Sequence, residues 1–149
     1  MRSTDWRRRM RLGQDPHKGT CVIAAEAIRA GDILGYCEGE QTDRDTVHSI
    51  HLDGKRIDPV EPFRFISHAC DPNAVFRDRT RWLHAVKDIP AGAEITIDYL
   101  YTEPVISAPF PCRCGAANCR GVIRTPFGRA SQPEPAPRER RPASSEEPA

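Results

Sequence analysis

The segment "RFISHACDPNA", residues 64 to 74, places His68 and Cys70 two positions apart, directly before a Pro-Asn turn. Neither residue has a partner nearby in sequence, so the reading turns on what the rest of the chain offers them. Far downstream, "PCRCGAANCRG" (111 to 121) sets Cys112, Cys114 and Cys119 in a C-x-C-x4-C spacing too tight for most disulfide geometry. A structural zinc site is tetrahedral and takes four protein ligands, so three thiolates leave one vertex open. If the fold returns residues 111 to 121 to the 64–74 segment, Cys70 completes a four-thiolate site, with His68 as the rival fourth ligand. Six cysteines in a chain without an export signal read better as metal ligands and buried thiols than as a disulfide framework.

Around these two segments the chain reads as one domain followed by a tail. From Pro126 the sequence is rich in Pro, Ala, Ser and mixed charge, and after Phe127 it has no large apolar residue. Such a stretch cannot bury enough surface to offset the entropy of ordering it, so residues 126 to 149 are expected to be disordered. Before it, helical periodicity is weak and short β-rich runs alternate with turn signals. Residues 20–25, 32–36, 49–52, 74–77, 81–86 and 94–99 read as strands. The turns fall at "RAGD", "LDGK", "RDRT" and "IPAG". Two of these share an I-x-A-G pattern leading into a strand, "IRAGDIL" (28–34) and "IPAGAEI" (89–95), a coincidence of common turn chemistry or the mark of two related β units.

Composition excludes some functions. The net charge of +1 with 29% charged residues gives no polyanion-binding signal, so direct nucleic-acid binding is not expected. The basic stretch "WRRRMR" (6–11) reads as a solvated arm. No apolar run reaches transmembrane length, and the Arg-rich start is not followed by a signal-peptide core. The expected location is cytoplasmic, with nucleus or chromatin open if the source is eukaryotic, and no membrane partner.

Taken in order, "RFISHACDPNA", "IPAGAEITIDY" and "PCRCGAANCRG" resemble the SET domain and post-SET segment of protein lysine methyltransferases. "HKGTCVIA" (17–24) resembles that family's opening glycine motif, "IRAGDILGYCEGE" (28–40) its I-x-x-G-E-x-I-x-E-Y-x-G-E stretch, and "HLDGKRID" (51–58) its L-D-G turn. The resemblance implies an all-β SET domain of small sheets around a pseudo-knot. It divides the chain into a basic arm (1–9), a SET domain (10–105), a post-SET zinc segment (106–125) and a tail (126–149). It implies one structural zinc ion on Cys70, Cys112, Cys114 and Cys119, and S-adenosylmethionine as methyl donor. Lys18, Gly19, Thr20, Ser67 and His68 are the implied donor contacts.

The implied reaction is methylation of lysine side chains on a protein substrate, with Tyr99 as the catalytic tyrosine and Tyr36, Cys37, Phe76 and Ile97 along the substrate channel. The chemistry asks for such a site. A lysine ammonium must lose its proton before it can attack a methyl group, and the donor sulfonium and an apolar channel both favour that loss. What remains is alignment, which a tyrosine hydroxyl at the channel end can assist. The sequence departs from the family pattern at Ser67 (asparagine), Ala69 (serine), Cys21 (glycine) and Cys37 (tyrosine). With Tyr36 one place early, only a β-bulge could bring its ring into the channel. These departures motivate a second class, a SET-like binding module without turnover. A zinc-knuckle nucleic-acid binder is a third.

Overall fold

The computed structural model describes residues 8–104, 106 and 108–125. The expected tail at 126–149 and most of the basic arm lie outside the described residues. Arg9 does not follow the expectation of a solvated arm. It is buried, its guanidinium 2.9 Å from Asp32 Oδ2 and 3.6 Å from Glu26, and its carbonyl accepts from the Ala25 amide at 2.8 Å.

The domain is built from small sheets, which the short strand runs require. A hairpin of β1 (Met10–Asp15) and β2 (Gly19–Ala24) opens it. Three antiparallel strands follow in the order β3 (Ile33–Tyr36), β9 (Trp82–Ala85), β8 (Ala74–Phe76). A second sheet of three runs β4 (Gly39–Gln41), β6 (Lys55–Pro59), β5 (Ile50–Leu52). β5 and β6 are joined through Asp53 and Gly54, both at positive φ (55° and 71°), the conformation that a tight hairpin turn imposes. The central pairing is parallel: β7 (Ser67–His68) lies beside β10 (Thr96–Ile97). A four-residue helix, α1 (Tyr99–Thr102), leaves β10, and β11 (Phe110–Pro111) pairs with β12 (Val122–Ile123) around the cysteine segment.

The two I-x-A-G turns lie against one another. Ile28 and Ile89 exchange both backbone hydrogen bonds, at 2.9 and 2.8 Å, so the related turns form a reciprocal pair at the centre of the molecule. Around that pair sits the main core, where Val22, Leu34, Ile57, Phe76, Leu83, Ile89 and Ile95 are almost wholly buried. A smaller core of Cys70, Leu100 and Ile123, with Phe110 against it, fastens the cysteine segment to the domain. Gly39 allows the start of β4 to lie close against its antiparallel neighbour β6. Its φ is 154°, and a Cβ there would stand 2.3 Å from the Asp58 carbonyl oxygen, so no other residue fits without moving backbone.

Candidate active site

The turn before β2 forms one wall of the site. Asp15 accepts from the amides of His17 and Lys18 at 2.8 and 2.9 Å, which draws the turn tight and lowers the Asp15 pKa. Gly19 then takes φ +84° to enter the strand. A Cβ at Gly19 would meet nothing within 4 Å, so its glycine is demanded by backbone angle rather than by crowding. Lys18 and Thr20 line a cavity of about 1130 Å³ together with Ser67, His68, Glu94, Tyr99, Phe110 and Cys112. Four of the five expected donor contacts thus share this cavity, and Gly19 lies between two of them. Lys18 Nζ pairs with Glu94 Oε1 at 2.6 Å across it.

Parallel pairing of β7 with β10 brings His68 under Tyr99. The Tyr99 amide donates to His68 Nδ1 at 3.0 Å, which leaves the ring proton on Nε2, 3.5 Å from Cys70 Sγ. Burial, with Arg120 adding to it, lowers the His68 pKa to about 4, so the ring is neutral as this bonding requires. Asp98 caps α1 by accepting from Leu100 N at 2.9 Å, and its other oxygen receives Arg120 at 3.1 Å. Burial raises its pKa while Arg120 and the amide oppose the rise. The Tyr99 hydroxyl donates to the Ile66 carbonyl at 2.5 Å. Burial first, then Glu103 and Glu94, push the phenol pKa well up, so Tyr99 acts as a hydrogen-bonding group and not as a base. Its oxygen, having donated to Ile66, keeps lone pairs for an incoming N–H.

A second cavity of about 680 Å³ opens on the other side of Tyr99. Cys37, Ile50, Phe63, Ile66, Ile97 and Glu103 are among its walls. Tyr99, Ile66, Phe110 and His48 border both cavities. Of the four expected channel residues, Cys37 and Ile97 line this space. Phe76 does not: it is 1% exposed and packs in the core against Phe63, ring centroids 6.3 Å apart. Tyr36 also lies elsewhere. The pairing of β3 with β9 does shift register between Ile33 and Gly35, but alternation still sends Tyr36 to the opposite face, edge-on to Trp82 at 4.8 Å. The buried Cys37 thiol faces the cavity in its place, with burial pushing its pKa up to about 12.

The four cysteines come together as the spacing required. The Sγ atoms of Cys70, Cys112, Cys114 and Cys119 all lie within 4.8 Å of one another, and Cys70 and Cys112 are 3.8 Å apart. That is too long for a disulfide and matches the edge of a tetrahedron with bonds of about 2.3 Å to zinc. The donor set therefore fits a zinc ion, with His68 beside the cluster as a donor to Cys70 rather than as a ligand. The Arg120 amide also points at Cys70 Sγ, 3.3 Å away, and Asn118 donates to the Cys70 carbonyl at 3.0 Å. Phe110, not singled out in the sequence, joins His68 and Tyr99 in a three-ring cluster with centroids 5.3 to 6.1 Å apart. Its only sequence signal is an apolar residue just before the cysteine run. Glu94 and Glu103 were equally silent, since a lone glutamate in a polar sequence says nothing of its neighbours.

These two cavities meeting at a tyrosine, beside a parallel strand pair and a cysteine cluster, define a class. The family profile described as SET domain matches residues 19–100, and the chain belongs to the SET-domain family. Among its relatives is the Neurospora crassa histone-lysine N-methyltransferase, H3 lysine-9 specific dim-5, 37% identical over 82 residues, 42% of this chain and 25% of that protein. Another is the Drosophila pseudoobscura histone-lysine N-methyltransferase Su(var)3-9, 38% identical over 126 residues, 70% of this chain and 19% of that one. The chain thus spans a quarter or less of the length of these relatives. Of solved structures, KRYPTONITE in complex with mCHH DNA, H3(1-15) peptide and SAH matches with TM-score 0.61 and 27% identity over 76% of this chain and 29% of that one. No helix among the described residues is long and apolar enough to cross a membrane.

Proposed function

We propose that this chain is an S-adenosylmethionine-dependent methyltransferase acting on lysine side chains of a protein substrate. The observation that carries the reading is the meeting of two cavities at Tyr99, one walled by Lys18, Thr20 and His68, the other chiefly apolar and walled by Ile97, Ile66 and Phe63. The first is the place for the donor, as SAH in the KRYPTONITE complex suggests by likeness. The second takes the lysine. When bound, the donor supplies an electrophilic methyl group on a sulfonium.

The residues of this chain supply the rest. Apolar walls disfavour the charged form of the entering amine, which eases loss of its proton. Tyr99, held by Ile66 through its hydroxyl and by His68 through its amide, presents an oxygen of fixed position to the amine, so its lone pair can be aligned with the methyl carbon. The cysteine segment, read as post-SET, brings Phe110, Pro111 and Cys112 to the donor wall, and a structural zinc ion on its three thiolates and that of Cys70 would hold it in place. The small size of Cys37 and Ile97 leaves the lysine cavity without a phenol at either position, which suits acceptance of a second methyl group.

The test is incorporation of labelled methyl from S-adenosylmethionine into proteins of a mixed cell lysate, with sites found by mass spectrometry, alongside calorimetric titration of the donor. Methyl-lysine formed by wild type but not by a Tyr99→Phe variant supports the reading. Donor binding without any turnover would move it to a binding module.

A further inference from the structure

The reaction proposed above begins with a cation, and the cavity that receives it is largely apolar. Two of its lining residues carry carboxylates, Asp45 and Glu103, and one carries a full positive charge, Arg64, which pairs with Asp58 at 3.1 Å. The two acids are held differently. Asp45 stands exposed on the loop before β5, accepting from the Ser49 hydroxyl at 3.3 Å. The Glu103 side chain is 12% exposed and is gripped by one residue of β5 at both oxygens. His51 donates its ring Nδ1–H to Oε1 at 3.0 Å and its backbone N–H to Oε2 at 3.2 Å. A carboxylate is acceptor-only, so Nδ1 is the donor in this pair.

Glu103 is tied equally firmly to Tyr99. Its amide closes the last turn of α1 on the Tyr99 carbonyl at 2.8 Å, so the backbones that carry carboxylate and phenol are joined directly. Each carboxylate oxygen, having accepted one hydrogen bond, retains a further lone pair for a donor in the cavity. We propose that Glu103 is the recognition group for the substrate's positive charge on entry, selecting a cationic side chain for the cavity before the apolar walls ease loss of its proton, with His51 as the residue that positions it. The inference rests on the lysine-methylation reading and deepens it: what the cavity admits is set by charge as well as by width. His48 and Arg64 face the same space, and neither supplies a negative charge.

The test uses the zinc-loaded full chain and two small probes, n-butylammonium chloride as a lysine side-chain mimic and 1-butanol as its neutral counterpart. Binding is followed through isoleucine methyl NMR signals, of which Ile50, Ile66 and Ile97 line the cavity. Wild type is expected to bind the ammonium more tightly than the alcohol. Glu103→Gln should weaken the ammonium by about tenfold or more, the scale of a lost hydrogen bond to a charged group, and leave the alcohol unchanged. Glu103→Asp should recover part of the loss, and His51→Gln, which keeps the carboxylate but not its grip, should fall between. Equal ammonium affinity in wild type and Glu103→Gln, or a wild type with no preference for the cation, would overturn the proposal. Methyl turnover on lysate, measured in parallel, separates the two readings. A selective cavity without turnover counts against methyl transfer, and turnover through an unselective cavity counts against Glu103.

Discussion

Replacing Tyr99 by phenylalanine removes one oxygen and tests two roles of different size. The hydroxyl gives its proton to the Ile66 carbonyl at 2.5 Å in a buried setting, so the variant leaves that carbonyl without its donor. Stranding a buried acceptor costs about 1–3 kcal/mol, which for a domain of this size lowers the melting temperature by roughly 4–15 °C. The variant should still fold, because the ring keeps its packing against His68 and Phe110 and the Tyr99 amide keeps its bond to His68 Nδ1. Catalysis should suffer more. Loss of a positioned hydrogen bond in a desolvated site typically costs about 10²-fold or more in rate. Since the backbone is pinned independently of the hydroxyl, misplacement of the chain cannot account for such a loss. The assay is labelled-methyl turnover on a lysate substrate, with donor affinity by calorimetry and a thermal melt on the same preparation. Wild-type turnover in a folded Tyr99→Phe protein would remove the hydroxyl from the mechanism.

Three further outcomes are expected. Chelation of the metal, or Cys70→Ser, should lower donor affinity along with zinc content, because Cys112 and Cys114 help wall the donor cavity; elemental analysis and calorimetry on one sample check this. The Cys37 thiol is pushed up to about 12 in the fold, whereas in the unfolded chain it ionises near its ordinary value. Above that ordinary value the unfolded state binds fewer protons, so stability is full below it and falls as pH rises towards 12. At pH 10.5 the loss is about 2 kcal/mol relative to pH 8, and denaturant melts of Cys37→Ala should lack that part of the slope. Ile97→Tyr puts a phenol into the 680 Å³ cavity beside Tyr99 and should shift products towards monomethyl-lysine, read by mass spectrometry under excess donor.

Much of this was legible from the sequence where one residue type had one physical meaning. β-rich runs at 20–25, 49–52 and 81–86 became strands because short apolar and β-branched stretches bounded by turn residues are too short for a packed helix. The "EITIDY" run was only half legible. Its strand stops at Ile97, because Asp98 caps the Leu100 amide and turns the chain into a short helix at Tyr99. β1 was missed, since "MRLGQD" has a glycine in its middle and one face open to solvent, and its strand character comes from pairing with β2. Phe76 was misplaced because a buried phenylalanine reads alike whether it faces a core or a cavity. Arg9 was misread since a basic run carries no sign of which arginine will find Asp32. Cys37 and Tyr36 were half legible: the irregularity between Ile33 and Gly35 does not carry Tyr36 into the cavity, and only the thiol of the two expected channel residues lines it.

The site's defining contacts also bear on time. Lys18 meets Glu94 across 76 positions, His51 meets Glu103 across 52, and the Arg120 amide meets Cys70 across 50. Loops of this length close slowly and return no binding energy until both ends are in place, so domains dominated by such pairings fold in milliseconds to seconds rather than microseconds. On a ribosome the wait is longer. Strands β1 to β6 emerge well before β10 and the last cysteines, and their apolar faces stay uncovered for seconds at the pace of synthesis. Both cavities take wall from Phe110, and the donor cavity also from residues 111–114, so their walls are complete only when that late segment joins the rest.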